Sequence, residues 1–351
     1  MKNKIKKAET WYNNNAKKYE HFAQEVAQII EKILMTGRIP YQSITQRIKE
    51  KESYLNKCKK DKYLDPVEEI MDLAGVRIIA YTNNDVKKIC AIIEEQFKID
   101  DNNSENKAEK IGEDKLGYLS VHYVAELSDE RVKLPEYIVY KDFKCEIQVR
   151  TLLQHAWAEI EHDKNYKFSV TLPKDIKRRF YLLSGVLEMI DREFDNLSKE
   201  IDDYSEMVHE KTKQGDFDIE IDTESLSQYL LSKFENDERI DKSSCGIVNK
   251  SVIDELLRFG FKKITDIDQE LTEKMITKIL SKEKKSTYIG LLRDLMMILD
   301  VEKYFKVAYN GDWTGTNRWQ IEVWEKNGIK NIEEYLIDAG IMIFPGKNES
   351  R

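Results

Sequence analysis

Apolar positions along the chain follow two periods. From residue 12 to 34, Tyr12, Tyr19, Phe22, Val26, Ile29, Ile30 and Ile33 recur at helical spacing, a single stripe that Gly37 and Pro40 bring to an end. Ile44, Ile48 and Leu55 extend the helical period over 41–60, on a segment dense in Arg and Lys. At Gly75 the pattern changes. GVRIIAY is rich in β-branched residues and predicts a strand, with a helix after it over 84–97. A polar loop follows over 100–118, and loops near 20 residues inside a compact domain are usually functional. SVHYVAEL (120–127) and YIVYKDF (137–143) predict strands, and FKCEIQVRT (143–151) alternates strictly. That alternation sends Phe143, Cys145, Ile147, Val149 and Thr151 to one face, and Lys144, Glu146, Gln148 and Arg150 to the other. The helix expected next buries Leu152, Leu153, Ala156, Trp157 and Ile160, which leaves His155, Glu159 and His162 on a neighbouring stripe.

After Pro173 the apolar spacing becomes four, three, four, three without a break, from Ile176 through Phe180, Leu183 and Leu187 to Val208. This heptad seam predicts one helix of about forty residues. Its partner is either the N-terminal helix of the same chain, the favoured reading, or a second copy of itself. Gly215 and the acidic run DFDIEIDTE mark a boundary, giving domains 1–214 and 215–351. The second is the more acidic and reads as mainly helical. In it, Gly260-Phe-Lys-Lys-Ile264 and Gly328-Ile-Lys-Asn-Ile332 echo each other as two helix-turn-helix units, where glycine permits a left-handed turn. YNGDWTGTNRWQIEVW carries Trp313, Trp319 and Trp324, either as core or as an aromatic contact surface.

Composition narrows the function classes. With 351 residues, 41% hydrophobic and 35% charged, the chain buries a sizeable core. A net charge of -8 excludes a protein that coats nucleic acid nonspecifically but leaves room for a local basic pocket. Cys58, Cys90, Cys145 and Cys245 are far apart and suggest neither a zinc site nor a disulfide framework, as expected of a cytoplasmic protein. No signal peptide or run of about 18 apolar residues is present. The His155/Glu159/His162 spacing is not the metalloprotease motif. Asp72, at the mouth of the strand after Gly75, and Glu146 are two carboxylates that could converge on a hard cation such as Mg²⁺. The basic residues of 47–60 could then neutralise phosphates.

RIKEKESYLNKC (47–58), DLAGVRI (72–78), GYLSVH (117–122) and EIQVRTLLQHAWAEIEHDKNYK (146–167) together resemble, in order, the signatures of the RelA/SpoT-type alarmone synthetase domain. The resemblance covers about residues 40–170. It implies an α+β fold: a nucleotidyltransferase-like mixed β-sheet flanked by helices, here followed by the long heptad helix and the helical C-terminal domain. It implies transfer of the β,γ-pyrophosphate of ATP to the 3'-hydroxyl of GDP or GTP, with Mg²⁺ held by Asp72 and Glu146. By position, Arg47 and Arg77 would sandwich the adenine and Lys49 and Lys57 hold the ATP phosphates. Lys115, Tyr118, His122, Gln148, Arg150 and His155 would form the acceptor side, with Tyr118 stacked on the acceptor base.

Two departures fall on that side. The family's Lys-x-Asn-Gly-Tyr becomes Asp114-Lys115-Leu116-Gly117-Tyr118, and Leu119 replaces a common polar residue. Acceptors carried by other members therefore stay open: the 3'-terminal adenosine of tRNA, which would make the protein a toxin of the toxin-antitoxin or phage-defence kind, or an adenine nucleotide. Lys174, Lys177, Arg178 and Arg179 are the residues that favour tRNA, with a solvated helix start as the alternative reading. About forty residues before the first motif leave no room for the hydrolase of long members. A regulatory partner at the C-terminal domain and homo-oligomerisation complete the expectations.

Overall fold

In the computed structural model, residues 2–106, 120–167, 173–242, 247–280 and 285–345 are described, without the side chains of Lys2, Asn106, residues 162–167 and Lys177. The chain divides into two compact units, Met1–Lys199 and Glu200–Arg351.

The first unit is built on a mixed sheet. Its strands are β1 (Ser43–Ile48), β2 (Ala74–Ala80), β3 (Phe97–Ile99), β4 (Glu105–Asn106), β5 (Val121–Leu127) and β6 (Cys145–Thr151). The order is β1-β2-β6-β5-β3, and β4 pairs with β5 beside β3. Only β2 and β6 run parallel; β1-β2, β5-β6 and β3-β5 are antiparallel. Period two divides the sheet cleanly. Val76, Ile78, Ile147, Val149, Tyr123 and Ala125 point into the core, where helix α1 (Lys2–Thr36) brings Phe22, Val26 and Ile30, and helix α4 (Asn83–Gln96) brings Ile89 and Ile93. A smaller cluster joins Tyr12 of α1 to Tyr54 and Cys58 of α2 (Lys51–Cys58) and to Leu73, just beyond the short α3 (Pro66–Glu69).

Helix starts are written in the local sequence. Thr82 caps α4 in a reciprocal box with Asp85. Thr151 begins α5 (Leu152–Lys167) in the same way: its Oγ1 accepts from the Gln154 amide at 3.1 Å, and Gln154 Oε1 accepts from the Thr151 amide at 2.9 Å. The Thr151 hydroxyl also donates to buried Asp191 at 2.7 Å, fixing the next helix, α6 (Lys174–Gln214), which has the expected length.

Four expectations are corrected. The helix over 41–60 is strand β1 followed by α2. Ile44 and Ile48 lie four apart, a spacing that satisfies the strand period as well as the helical one, and Ser-Ile-Thr-Gln-Arg-Ile alternates. The strand over 137–143 is a pair of turns containing the 3₁₀ segment Ile138–Tyr140. Its rings pack on α1, Phe143 on Tyr19 at 4.5 Å and Tyr140 on Phe22 at 5.3 Å, instead of joining a ladder. On α5 only Trp157 of the expected apolar face is buried; Leu152 is 42% and Ile160 52% exposed. The α6 seam does not pair with α1, whose stripe is taken by β1, β2, β6, α2 and α3. Leu183, Phe194 and Leu197 stay exposed.

The second unit is mainly helical around one core, comprising α7 (Thr223–Phe234), α8 (Lys250–Phe259), α9 (Ile264–Glu270), α10 (Glu273–Ile279), α11 (Tyr288–Leu299), α12 (Arg318–Lys326) and α13 (Ile332–Asp338). The strands β7 (Gly315–Asn317) and β8 (Met342–Phe344) pair in parallel. Gly260 and Gly328, at φ 109° and 93°, make the left-handed turns that the repeated motif predicts.

Candidate active site

The polar sheet face is assembled rung by rung. Arg47 of β1 lies opposite Gly75 of β2, which lies opposite Glu146 of β6. On the next rung of the same face Thr45, Arg77, Gln148 and His122 line up, followed by Ser43, Ile79 and Arg150. Cross-strand partners share a face, so residues scattered from 45 to 150 become neighbours. Thr45, Arg47, Gly75, Arg77, Glu146 and Gln148 line a hollow of about 100 Å³. Gly75 keeps its rung low: a Cβ there would sit 3.5 Å from Arg47 Cγ, in contact with the arginine stem.

Glu146 is held from both sides. His122 Nδ1 is 3.1 Å from its Oε1, and Gln148 Nε2 donates to Oε2 at 2.9 Å. Ser120 Oγ lies 2.7 Å from the other nitrogen of His122, making a line from Ser120 through His122 to Glu146. Burial pushes the Glu146 carboxyl up and Asp72 adds to that, but the His122 and Gln148 contacts outweigh both and leave it below the usual glutamate range. Asp72, just before β2, is gripped by Lys57 Nζ at 2.7 Å and Lys49 Nζ at 3.0 Å, both on Oδ2. Against the cost of burial, the two lysines hold its carboxyl below the ordinary range. Lys57 is itself raised, because the Asp72 contacts outweigh its burial.

Cations crowd the rest of the face. Burial and the charges of Arg77 and Arg47 lower Arg150 to about 10, against the opposing pull of Glu159. Its Nε is buried with no hydrogen-bond partner. Arg77 reaches Glu159 of α5 at 3.0 Å. His155 is pushed down by burial and then by Arg150 and Arg77, against the pull of Glu159, which lies 3.6 Å from its Nδ1. Three guanidinium groups packed this closely repel one another, and a bound polyanion relieves that repulsion.

The donor set fits a hard divalent cation. Asp72 Oδ1 is a buried carboxylate oxygen with no hydrogen-bond partner, and Asp72 is close enough to Glu146 for its charge to be felt there. Among the described residues no cluster of three or more His, Cys, Asp or Glu forms a cage. One or two carboxylates completed by substrate oxygens is the way Mg²⁺ is usually bound.

The structure thus brings Arg47, Lys49, Lys57, Asp72, Arg77, His122, Glu146, Gln148, Arg150 and His155 to one sheet face and its margins. Lys115 and Tyr118 lie outside the described residues. Sequence reasoning missed Ser120 and Thr45. Ser120 sits two residues before His122 on the same face, a signal that period two supplies once the strand is accepted.

Residues 46–171 match the model of a region found in RelA / SpoT proteins. The chain is 28% identical over 176 residues to the GTP pyrophosphokinase YjbM of Bacillus subtilis (strain 168), covering 50% of this chain and 80% of that protein. It is 26% identical over 178 residues to YwaC of the same organism, also a GTP pyrophosphokinase, covering 48% and 79%. The crystal structure of small alarmone synthetase 1 from Bacillus subtilis aligns with a TM-score of 0.45 at 26% identity, over 55% of this chain and 98% of that one. Residues 46–171, which contain Arg47, Arg77, Glu146, Gln148 and Arg150 of the polar sheet face, thus match a region found in RelA / SpoT proteins, and the chain is similar there to GTP pyrophosphokinases of the small synthetase type.

Proposed function

We propose that the protein is a pyrophosphokinase that moves the β,γ-pyrophosphate of ATP to the 3'-hydroxyl of GDP or GTP, yielding AMP and a guanosine 3'-pyrophosphate. The observation that carries this reading is the crowding of Arg47, Arg77 and Arg150 on the sheet face that also carries Glu146, with Asp72 beside it. The names of the two bacillal relatives supply the acceptor.

In this reading ATP lies over the β1-β2-β6 rungs. Arg47 and Arg77 take its base between planar guanidinium groups, and Lys49 and Lys57 turn from Asp72 toward its phosphates. Asp72, through its spare Oδ1, and Glu146 would hold a Mg²⁺ ion, whose charge neutralises the phosphate oxygens. The acceptor enters on the β5 side, with Tyr118 on its base and His122, Gln148 and Arg150 on its sugar and phosphates; Lys115 and His155 complete that side. Glu146, ionised at neutral pH, accepts the hydrogen bond of the 3'-hydroxyl and so aims that oxygen at the β-phosphorus. It receives the proton as the new P–O bond forms and the bond to AMP breaks. His122 keeps the carboxylate in place. Catalysis is positioning and charge neutralisation, with no covalent enzyme intermediate.

The test is transfer of label from γ-labelled ATP, with Mg²⁺, to GDP, GTP, an adenine nucleotide or deacylated tRNA offered separately. Label on GDP or GTP with equimolar AMP is expected. Label only on tRNA would make the protein a tRNA-modifying toxin, and no AMP with any acceptor would leave it a nucleotide-binding regulator.

A further inference from the structure

A second hollow is lined wholly by residues of the second unit, none of them assigned to pyrophosphate transfer. It holds about 430 Å³, inside the ~300–1,000 Å³ typical of small-molecule sites. Trp313, Trp319 and Trp324 line it. Trp324 is 2% exposed, whereas Trp313 and Trp319 are only half-buried, so their rings are partly open to a guest.

The walls are braced from behind. Arg293 grips the fully buried Glu255 through Nε at 2.8 Å and Nη2 at 2.9 Å, and its guanidinium stands 5.7 Å from the Trp313 ring. Trp313 Nε1 donates to the Tyr304 hydroxyl at 2.9 Å, which in turn donates to Glu255 at 3.2 Å. Such bracing keeps an indole in place.

Asp294 of α11 also lines the hollow and is 4% exposed. Its Oδ1 accepts from Trp324 Nε1 at 2.7 Å, and Gln320 Nε2 lies 2.9 Å from each oxygen. Among the described residues no cation pairs with it. A carboxylate offers about four acceptor sites, so capacity remains after these contacts. At the rim, Lys285 is exposed and Ser286 presents a hydroxyl just before α11 begins.

Flat aromatic walls, a carboxylate with acceptor capacity to spare and a basic rim together describe one ligand chemistry. A hydrocarbon would leave that capacity unused, and a bare anion would have no use for the indoles. A planar heterocycle with N–H donors, joined to an anionic group, satisfies all three. We infer that this hollow binds a purine nucleotide, its base against the tryptophans with an N–H donated to Asp294 and its phosphate at Lys285 and Ser286.

Nucleoside monophosphates make the test independent of transfer, because they have no pyrophosphate to give. Full-length protein is titrated with GMP, AMP, guanosine, adenosine and inorganic phosphate, following tryptophan fluorescence and heat. A saturable quench by at least one monophosphate is expected, with its nucleoside weaker and phosphate alone silent. Trp319→Ala weakens the binding roughly ten- to hundredfold, Lys285→Ala narrows the gap between nucleotide and nucleoside, and Arg47→Ala, which removes any AMP held at the proposed ATP site, leaves a saturable quench in place. Melting curves verify the fold of Trp319→Ala; should it unfold, the exposed Lys285→Ala decides alone. The inference is overturned if neither monophosphate quenches, if phosphate alone reproduces the effect, if both Trp319→Ala and Lys285→Ala bind as the parent does, or if Arg47→Ala abolishes the signal.

Discussion

Two carboxylates in this chain, half-buried Asp72 and buried Asp294, respond to acid in opposite directions. Asp72 is held low by Lys57 and Lys49 against the cost of burial, so its contribution to stability is present above about pH 4, the unfolded value, and is lost as pH falls through its lower folded value. Asp294 is pushed up to about 7 by burial, which the Trp324 and Gln320 contacts only partly offset. Its folded form binds the proton more tightly than the unfolded chain, so its contribution is full below about pH 4 and declines as pH rises toward 7. Urea denaturation between pH 3 and 8 separates the two. Asp72→Asn is expected to flatten the acid limb alone, and Asp294→Asn to remove the decline between about 4 and 7; identical profiles for wild type and both variants would refute the assignment. The Glu146 strand was legible in the sequence because alternation needs only its own residues. The double grip on Asp72 was not, since it depends on Lys49 following a strand and Lys57 riding a helix, and both had been read into one helix.

At the scale of elements, Thr151 does three things. It ends β6, caps α5 and donates to Asp191 of α6. Thr151→Val keeps the β-branched shape but loses the cap and leaves Asp191 without that donor, a loss of about 2 kcal/mol or more. Thr151→Ser keeps the hydroxyl and is expected to stay within about 1 kcal/mol of wild type. Chemical denaturation measures both, and equal stability of the Val and Ser variants would mean the hydroxyl contributes nothing. The capping box, Thr151-Leu-Leu-Gln154, is a sequence signal; its tie to a residue forty positions onward is not. The same limit explains the apolar positions of α5. Helical period identifies a stripe but not what covers it, so Trp157, packed on Phe180 at 5.4 Å, is buried while Leu152 and Ile160 are exposed. Tyr140 and Phe143 show the converse error, where β-propensity described rings that serve to pack on α1.

For the whole molecule, the two cores share no buried residue: one gathers on the sheet with α1 and α4, the other among α7 to α13. A covalent element nevertheless serves both, since α6 gives Asp191 to the hydrogen bond with Thr151 and Val208 to the second core. Cores of this kind unfold as separate cooperative units unless their interface or shared helix couples them strongly. The expectation is therefore two calorimetric transitions. Leu292→Ala, at a fully buried position of the second unit, costs about 2–5 kcal/mol and lowers one transition; Ile147→Val, at a fully buried position of the sheet, costs about 0.5–1.5 kcal/mol and lowers the other. If each substitution instead moves a single shared transition, α6 acts as a rigid coupler. A nucleotide bound among the tryptophans would then stabilise both units together, because a ligand that stabilises one unit stabilises everything unfolding with it. Adding GMP or AMP to the calorimetric scan distinguishes the cases: with independent units it raises the transition that Leu292→Ala lowers, and with coupled units it raises the only one.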